Sequence, residues 1–192
     1  MPPRPGLVPF QQGDLDGLCG IYALINAIRL ATEDDTRCFP DAAWQELFFT
    51  LLLEADAVVG RVEAVGLGID PKPLFRVAQA AVRHMADEHG LRLTITHAIR
   101  RGEPRTLDAI LRRLTELTQL PRSAVLIRLT GHLDHWTVLR RVTGQSLTFF
   151  DSSGYARVSL ASCRSTARQP RGARQRYVIK PNGIFLVQVK PR

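Results

Sequence analysis

The period of the apolar residues changes once along this chain, and that change restricts the folds open to it. Up to Gly90 the apolar positions recur at helical spacing; beyond it most of them alternate. From Cys19, "CGIYALINAIRLATED" places Ile21, Leu24, Ile25 and Ile28 on one helical stripe, which predicts a helix buried along one side. "PDAAWQELFFTLLLEADAV" predicts a second helix with Asp41 as its N-cap. A third opens at Asp70-Pro71 and closes at Gly90, as proline and glycine preferences suggest. The intervening "VGRVEAVGLG" is broken by glycine and reads as a loop. "LRLTITHAI" then alternates as a half-buried strand does, and a further helix, "TLDAILRRLTELTQL", follows from Thr106. "SAVLIRL", "HWTVLRRV" and "SLTFFDS" are rich in β-branched and aromatic residues, and the last two are joined as a hairpin through Thr143-Gly144-Gln145. "RYVIKPNGIFLVQV" reads as two short strands around Pro181-Asn182-Gly183. Helices first and an antiparallel sheet second make an α+β layout.

The 192 residues suit one core of ordinary size, and no repeat or linker divides them, so a single domain over 1–192 is expected. A hydrophobic fraction of 45% with 23% charged residues excludes a disordered chain. No apolar run approaches the roughly 20 residues of a membrane helix. "MPPRPGLVPF" lacks the apolar stretch and cleavage site of a secretory signal, which leads to an expected cytoplasmic, reducing setting, with non-classical secretion still open. Cys19, Cys38 and Cys163 are odd in number and lack metal-ligand spacing, so neither disulfides nor a metal is expected. Nothing cradles phosphates, and no cofactor is called for. Much of the net charge of +8 is local, in "RSTARQPRGARQR" with Arg164, Arg168, Arg171, Arg174 and Arg176. That run reads as a solvated loop, or as a grip on phosphates or an acidic protein partner. With no aromatic residue before Tyr177, nucleic acid is disfavoured.

One cysteine is hard to explain by packing. Cys19 sits at the edge of its apolar run, between a polar loop and the first helical turn, where unpaired N–H groups and the helix dipole favour an anion. A thiolate nucleophile needs a base within reach and a third group to orient that base. Of five histidines, His84 and His89 lie on a helix beside charged residues and read as solvated. His97 ends a strand without polar neighbours, whereas His132 and His135 bracket "HLDH" where a strand begins. His135 is preferred, because the hairpin would bring it beside Asp151 at the same end, with Trp136 available to cover the pair from water. The oxyanion of an acyl transfer would be met by the Cys19 N–H and by Gln11 or Gln12, with Gln12 preferred. Asp14 and Asp16 could instead serve through a turn backbone, or cap the helix.

The chain order of these residues, Cys19 in "GLCGIYALINA", His135 in "DHWTVL" and Asp151 in "FFDSSG", resembles the papain-like cysteine peptidase superfamily. The closest flavour is that of the peptidase domains of bacteriocin exporters, with Gln…Cys-Gly, His-aromatic-apolar and a later Asp. The histidine strand beside the aspartate strand is also similar to proteases that process ubiquitin-like proteins, although there the cysteine follows the histidine. "DGLC" resembles the Asp-Gly-x-Cys of ovarian-tumour-type deubiquitinases. The exporter-like pattern places its glutamine six residues before the cysteine, where this chain has Gly13. The resemblance implies a papain-like α+β fold, with the nucleophile at a helix start in the N-terminal half and an antiparallel sheet in the C-terminal half. It implies a thiol hydrolase, a cysteine peptidase or isopeptidase with a Cys19-His135-Asp151 triad, acting on a protein or peptide, with an acidic one in view of the charge. The transglutaminase and deamidase types share that residue order, and small bacterial effectors or toxins of both kinds use this fold. An inert, basic protein-binding module on the same scaffold is the rival of another class.

Overall fold

The computed structural model describes residues 7–13, 16–33, 39–100, 102–103, 105–165 and 176–190. Among the described residues, five α-helices and seven strands follow one another: α1 (Cys19–Ala31), α2 (Asp41–Val59), α3 (Arg61–Gly66), α4 (Pro71–His89), β1 (Leu93–His97), α5 (Leu107–Leu117), β2 (Ser123–Gly131), β3 (His135–Val142), β4 (Ser146–Phe150), β5 (Arg157–Ser159), β6 (Cys163–Ser165) and β7 (Tyr177–Val189), with a 3-10 turn at Leu160–Ser162 between β5 and β6. The strands form one sheet in the order β1-β7-β2-β3-β4-β5, all antiparallel, with β6 running parallel to the start of β7. The fold is therefore mixed helix and antiparallel sheet, as the change of period predicts.

Two apolar layers hold the sheet. On one face, Leu126, Trp136, Val138, Phe150, Phe185 and Val187 pack with the inner sides of α1, α2 and α4. On the other, Val125, Ile127, Leu139 and Phe149 pack under Ile110 and Leu114 of α5. Because β2 is covered on both faces, Ala124 to Ile127 are all buried, and strict alternation gives way to a continuous apolar run.

Four expectations need correction. Asp41 does not cap α2; Pro40 occupies the cap position in extended backbone and Asp41 opens the helix. The glycine-broken segment holds the short helix α3, since Gly60 and Gly66 bracket it rather than interrupt it. The tail is one strand, β7, and Pro181-Asn182-Gly183 forms a bulge. Ile127 pairs with Ile184 and Leu129 with Ile179, so the extra β7 residues loop out without ending the strand. α1 is buried around nearly its whole circumference, Asn26 included, because it lies between the sheet and the other helices.

Candidate active site

The loop before α1 is held from three sides. Asn26, fully buried, exchanges two hydrogen bonds with Phe10: its Oδ1 accepts from the Phe10 N–H at 2.8 Å and its Nδ2 donates to the Phe10 carbonyl at 3.0 Å. The Gln12 N–H donates to the Ser152 carbonyl at 2.9 Å. Asp16 accepts from the Leu18 N–H at 3.0 Å, a short-range turn that leads the chain into the helix. Asp14 lies outside the described residues. Two glycines admit the close packing around Cys19. A Cβ on Gly17 would stand 2.9 Å from both the Val65 carbonyl oxygen and the Gly68 nitrogen, and the Gly17 N–H donates to that same Val65 carbonyl. A Cβ on Gly20 would meet Leu74 and Trp136 at 3.3 Å. These contacts, invisible in the sequence, explain why glycine stands on both sides of "LC".

The structure brings Cys19, His135 and Asp151 together. His135 opens β3, and Asp151 follows β4 at the same end of the hairpin. Their side chains meet at 2.7 Å between His135 Nε2 and Asp151 Oδ2, both residues about 5% exposed. The other carboxylate oxygen of Asp151 accepts from the Ser153 and Tyr155 N–H groups at 2.8 and 2.9 Å, which fixes the carboxylate plane. Cys19, buried at the first position of α1, lies close enough to the same imidazole to help raise its pKa. Asp151 engages Nε2 and leaves Nδ1 as the second nitrogen of the ring. Burial by itself lowers the His135 pKa, but the hydrogen bond and negative charge of Asp151, together with the neighbouring Cys19, outweigh it and hold the value up at about 9. Burial works the other way on Asp151, and the bond and charge of His135 still leave its pKa below the ordinary carboxylate value.

Trp136 does not cover this pair. Its ring stacks on Phe185 at 5.5 Å and its Nε1 donates to the Ile69 carbonyl at 2.8 Å. Tyr155 covers the imidazole instead, with ring centroids 5.3 Å apart. The glutamines divide the loop between them. Gln11 Nε2 reaches the Pro9 carbonyl at 3.1 Å and the Asp151 carbonyl at 3.4 Å, so both amide hydrogens are used. Gln12 Nε2 donates to the Asp16 carbonyl, leaving one amide hydrogen for another acceptor. Gln12 thus bridges the Cys19 loop and the Asp151 turn. Just upstream of His135, Asp134 receives both ends of the Arg128 guanidinium at 2.6 and 2.8 Å, and the third nitrogen of Arg128 bonds Asp70 ahead of α4. That arginine ties the approach to His135 to the helical layer.

An apolar groove of about 520 Å³ is lined by Phe10, Gln11, Tyr22, Trp44, Phe48 and Phe49 among others, and shares Gln11 with the Asp151 turn. Tyr22 is three residues after Cys19, one helical turn along α1. Of the other cysteines, Cys38 lies outside the described residues, and burial pushes the Cys163 thiol up to about 11, which makes it a poor nucleophile. His97 stacks on Phe75 and His132 lies against Tyr177. His84 and His89 are half-buried rather than solvated, and each places a ligand atom within 4.8 Å of the other and of a Glu46 oxygen. In the basic segment, residues 166–175 lie outside the described residues, Arg168, Arg171 and Arg174 among them. Among the described residues no helix is long and apolar enough to cross a membrane. No protein family, curated protein or solved structure matches this chain.

Proposed function

We propose that this chain is a papain-like thiol hydrolase, a cysteine peptidase or isopeptidase that works on a protein or peptide through an acyl-enzyme on Cys19. The observation that carries the reading is the buried 2.7 Å bond between His135 and Asp151, with Cys19 near the same ring at a helix start. The proton of Sγ passes to His135 Nδ1, and Asp151 stays ionised and stabilises the imidazolium. The thiolate forms a bond to the substrate carbonyl carbon. The resulting oxyanion is met by the Cys19 N–H, which has no acceptor within the helix, and by the remaining amide hydrogen of Gln12. His135 returns its proton to the leaving amine as the C–N bond breaks, leaving a thioester. Water, deprotonated by the same ring, then releases the acid. At neutral pH an imidazole held at about 9 carries the proton that the leaving amine takes; that transfer leaves the ring neutral and able to deprotonate the water. The groove beside Tyr22 would take an apolar side chain of the substrate.

A peptide library incubated with the protein and read by mass spectrometry tests this. New chain ends next to apolar residues are expected, with Cys19→Ala reducing their rate by roughly 10⁴-fold or more. Glutamine converted to glutamate without cleavage would reassign the chemistry to a deamidase, and amine-linked products to a transferase. Products that persist unchanged in Cys19→Ala, or their complete absence from both proteins, would favour the inert binding module.

A further inference from the structure

We propose that Glu46 of α2 and His84 and His89 of α4 form a zinc site that clamps the two helices together. One ligand atom from each, a carboxylate oxygen and two imidazole nitrogens, lies within 4.8 Å of the others. Zinc binds such atoms at about 2.0–2.1 Å, so small side-chain rotations close the set around an ion. A second observation points the same way. Thr50 Oγ1 sits 3.4 Å from His84 Nδ1, and His84 Nε2 is buried with no hydrogen-bond partner. A neighbour that engages one ring nitrogen while the other is left open is the pattern that orients a metal-binding histidine. An orphaned buried nitrogen is unfavourable without a ligand, and a cation relieves that penalty. The His89 ring lies 5.6 Å from that of His84, and the Phe39 ring meets it edge-on at 5.6 Å.

The donor set decides which ion. Two imidazoles and one carboxylate suit zinc, whereas magnesium and calcium prefer oxygen ligands alone. Three protein ligands leave a fourth position for water. The clamp stands apart from the thiol chemistry, since none of its ligands belongs to the Cys19 group. Its mechanical effect reaches the groove, because α2 also carries Trp44, Phe48 and Phe49.

Calorimetric titration of the full chain with Zn²⁺, alongside Cys19→Ala, His84→Gln, His89→Gln and Glu46→Gln, tests the site. One zinc per chain is expected in the parent and in Cys19→Ala, with a higher melting temperature for both. His84→Gln and His89→Gln should each weaken binding at least about tenfold. Glu46 is exposed, so Glu46→Gln keeps the fold intact and should also weaken binding. Cobalt in place of zinc should give d–d absorption without a thiolate charge-transfer band. Zinc binding that survives all three ligand variants, that disappears in Cys19→Ala, or that is absent from the parent would overturn the proposal. So would a thiolate band with cobalt, which would place the metal on a cysteine.

Discussion

With Asp151 changed to asparagine, His135 should titrate well below the value of about 9 that it holds beside the carboxylate. The variant should also lose a stability increment that the parent shows in acid and neutral solution. The imidazole is raised in the folded chain above the ~6.5 of an unfolded histidine, so its contribution is fully present below about pH 6.5 and fades as pH climbs through about 9. Its upper bound is on the order of 3 kcal/mol. Asp151 is shifted the other way, so its contribution holds above the ~3.9 of an unfolded aspartate and is lost as pH falls. Asparagine keeps an oxygen for the Ser153 and Tyr155 N–H groups and leaves the turn in place. The change is therefore electrostatic rather than structural. NMR titration of the His135 ring, with urea unfolding from about pH 5 to about pH 10, reads both effects. A His135 titration unaltered in the variant would show that Asp151 does not govern the ring.

Trp136→Ala should destabilise the fold by about 3–5 kcal/mol, among the largest effects of any single substitution here. The indole is 1% exposed, stacks on Phe185 and lies against Gly20, one residue past Cys19. Removing it opens a cavity between β3 and α1 and leaves the Ile69 carbonyl without its donor, roughly another 1 kcal/mol. Trp136→Phe separates the two terms: it restores most of the packing and none of the hydrogen bond, and should fall in between. Urea midpoints at constant slope give the comparison. A loss below about 1 kcal/mol for the alanine variant would mean that this side chain does not hold α1 to the sheet.

Much of this architecture is legible in local pattern. The period of 3.6 marks α1, α2 and α4, Thr106 caps α5 with its side chain, and the Thr143-Gly144-Gln145 turn sets the hairpin that brings His135 to Asp151. The spacing of Cys19, His135 and Asp151 along the chain is legible because each sits at an element boundary. What escapes is tertiary. No local signal separates the bulge at Pro181-Asn182-Gly183 from a turn, since the difference lies in how β2 pairs across it. Gly60 and Gly66 read as breakers although they only delimit α3. The need for glycine at 17 and 20 comes from Val65, Gly68, Leu74 and Trp136, all distant in sequence. Tyr155, and not Trp136, meets the His135 ring because the turn after Asp151 folds back. Glu46 approaches His84 and His89 only through the packing of α2 on α4.

The rate of Cys19 alkylation by iodoacetamide from about pH 4 to about pH 9, measured in the parent and in His135→Ala, tests the central claim most directly. An unassisted thiol reacts appreciably only as the pH nears about 8.5, because the thiolate is the reactive form. The parent should be alkylated roughly tenfold or more faster than His135→Ala across mildly acidic to neutral pH, because only the parent has a base beside the thiol. Two superimposable, steep profiles would contradict the account, because Cys19 would then be an ordinary thiol that happens to lie beside a histidine.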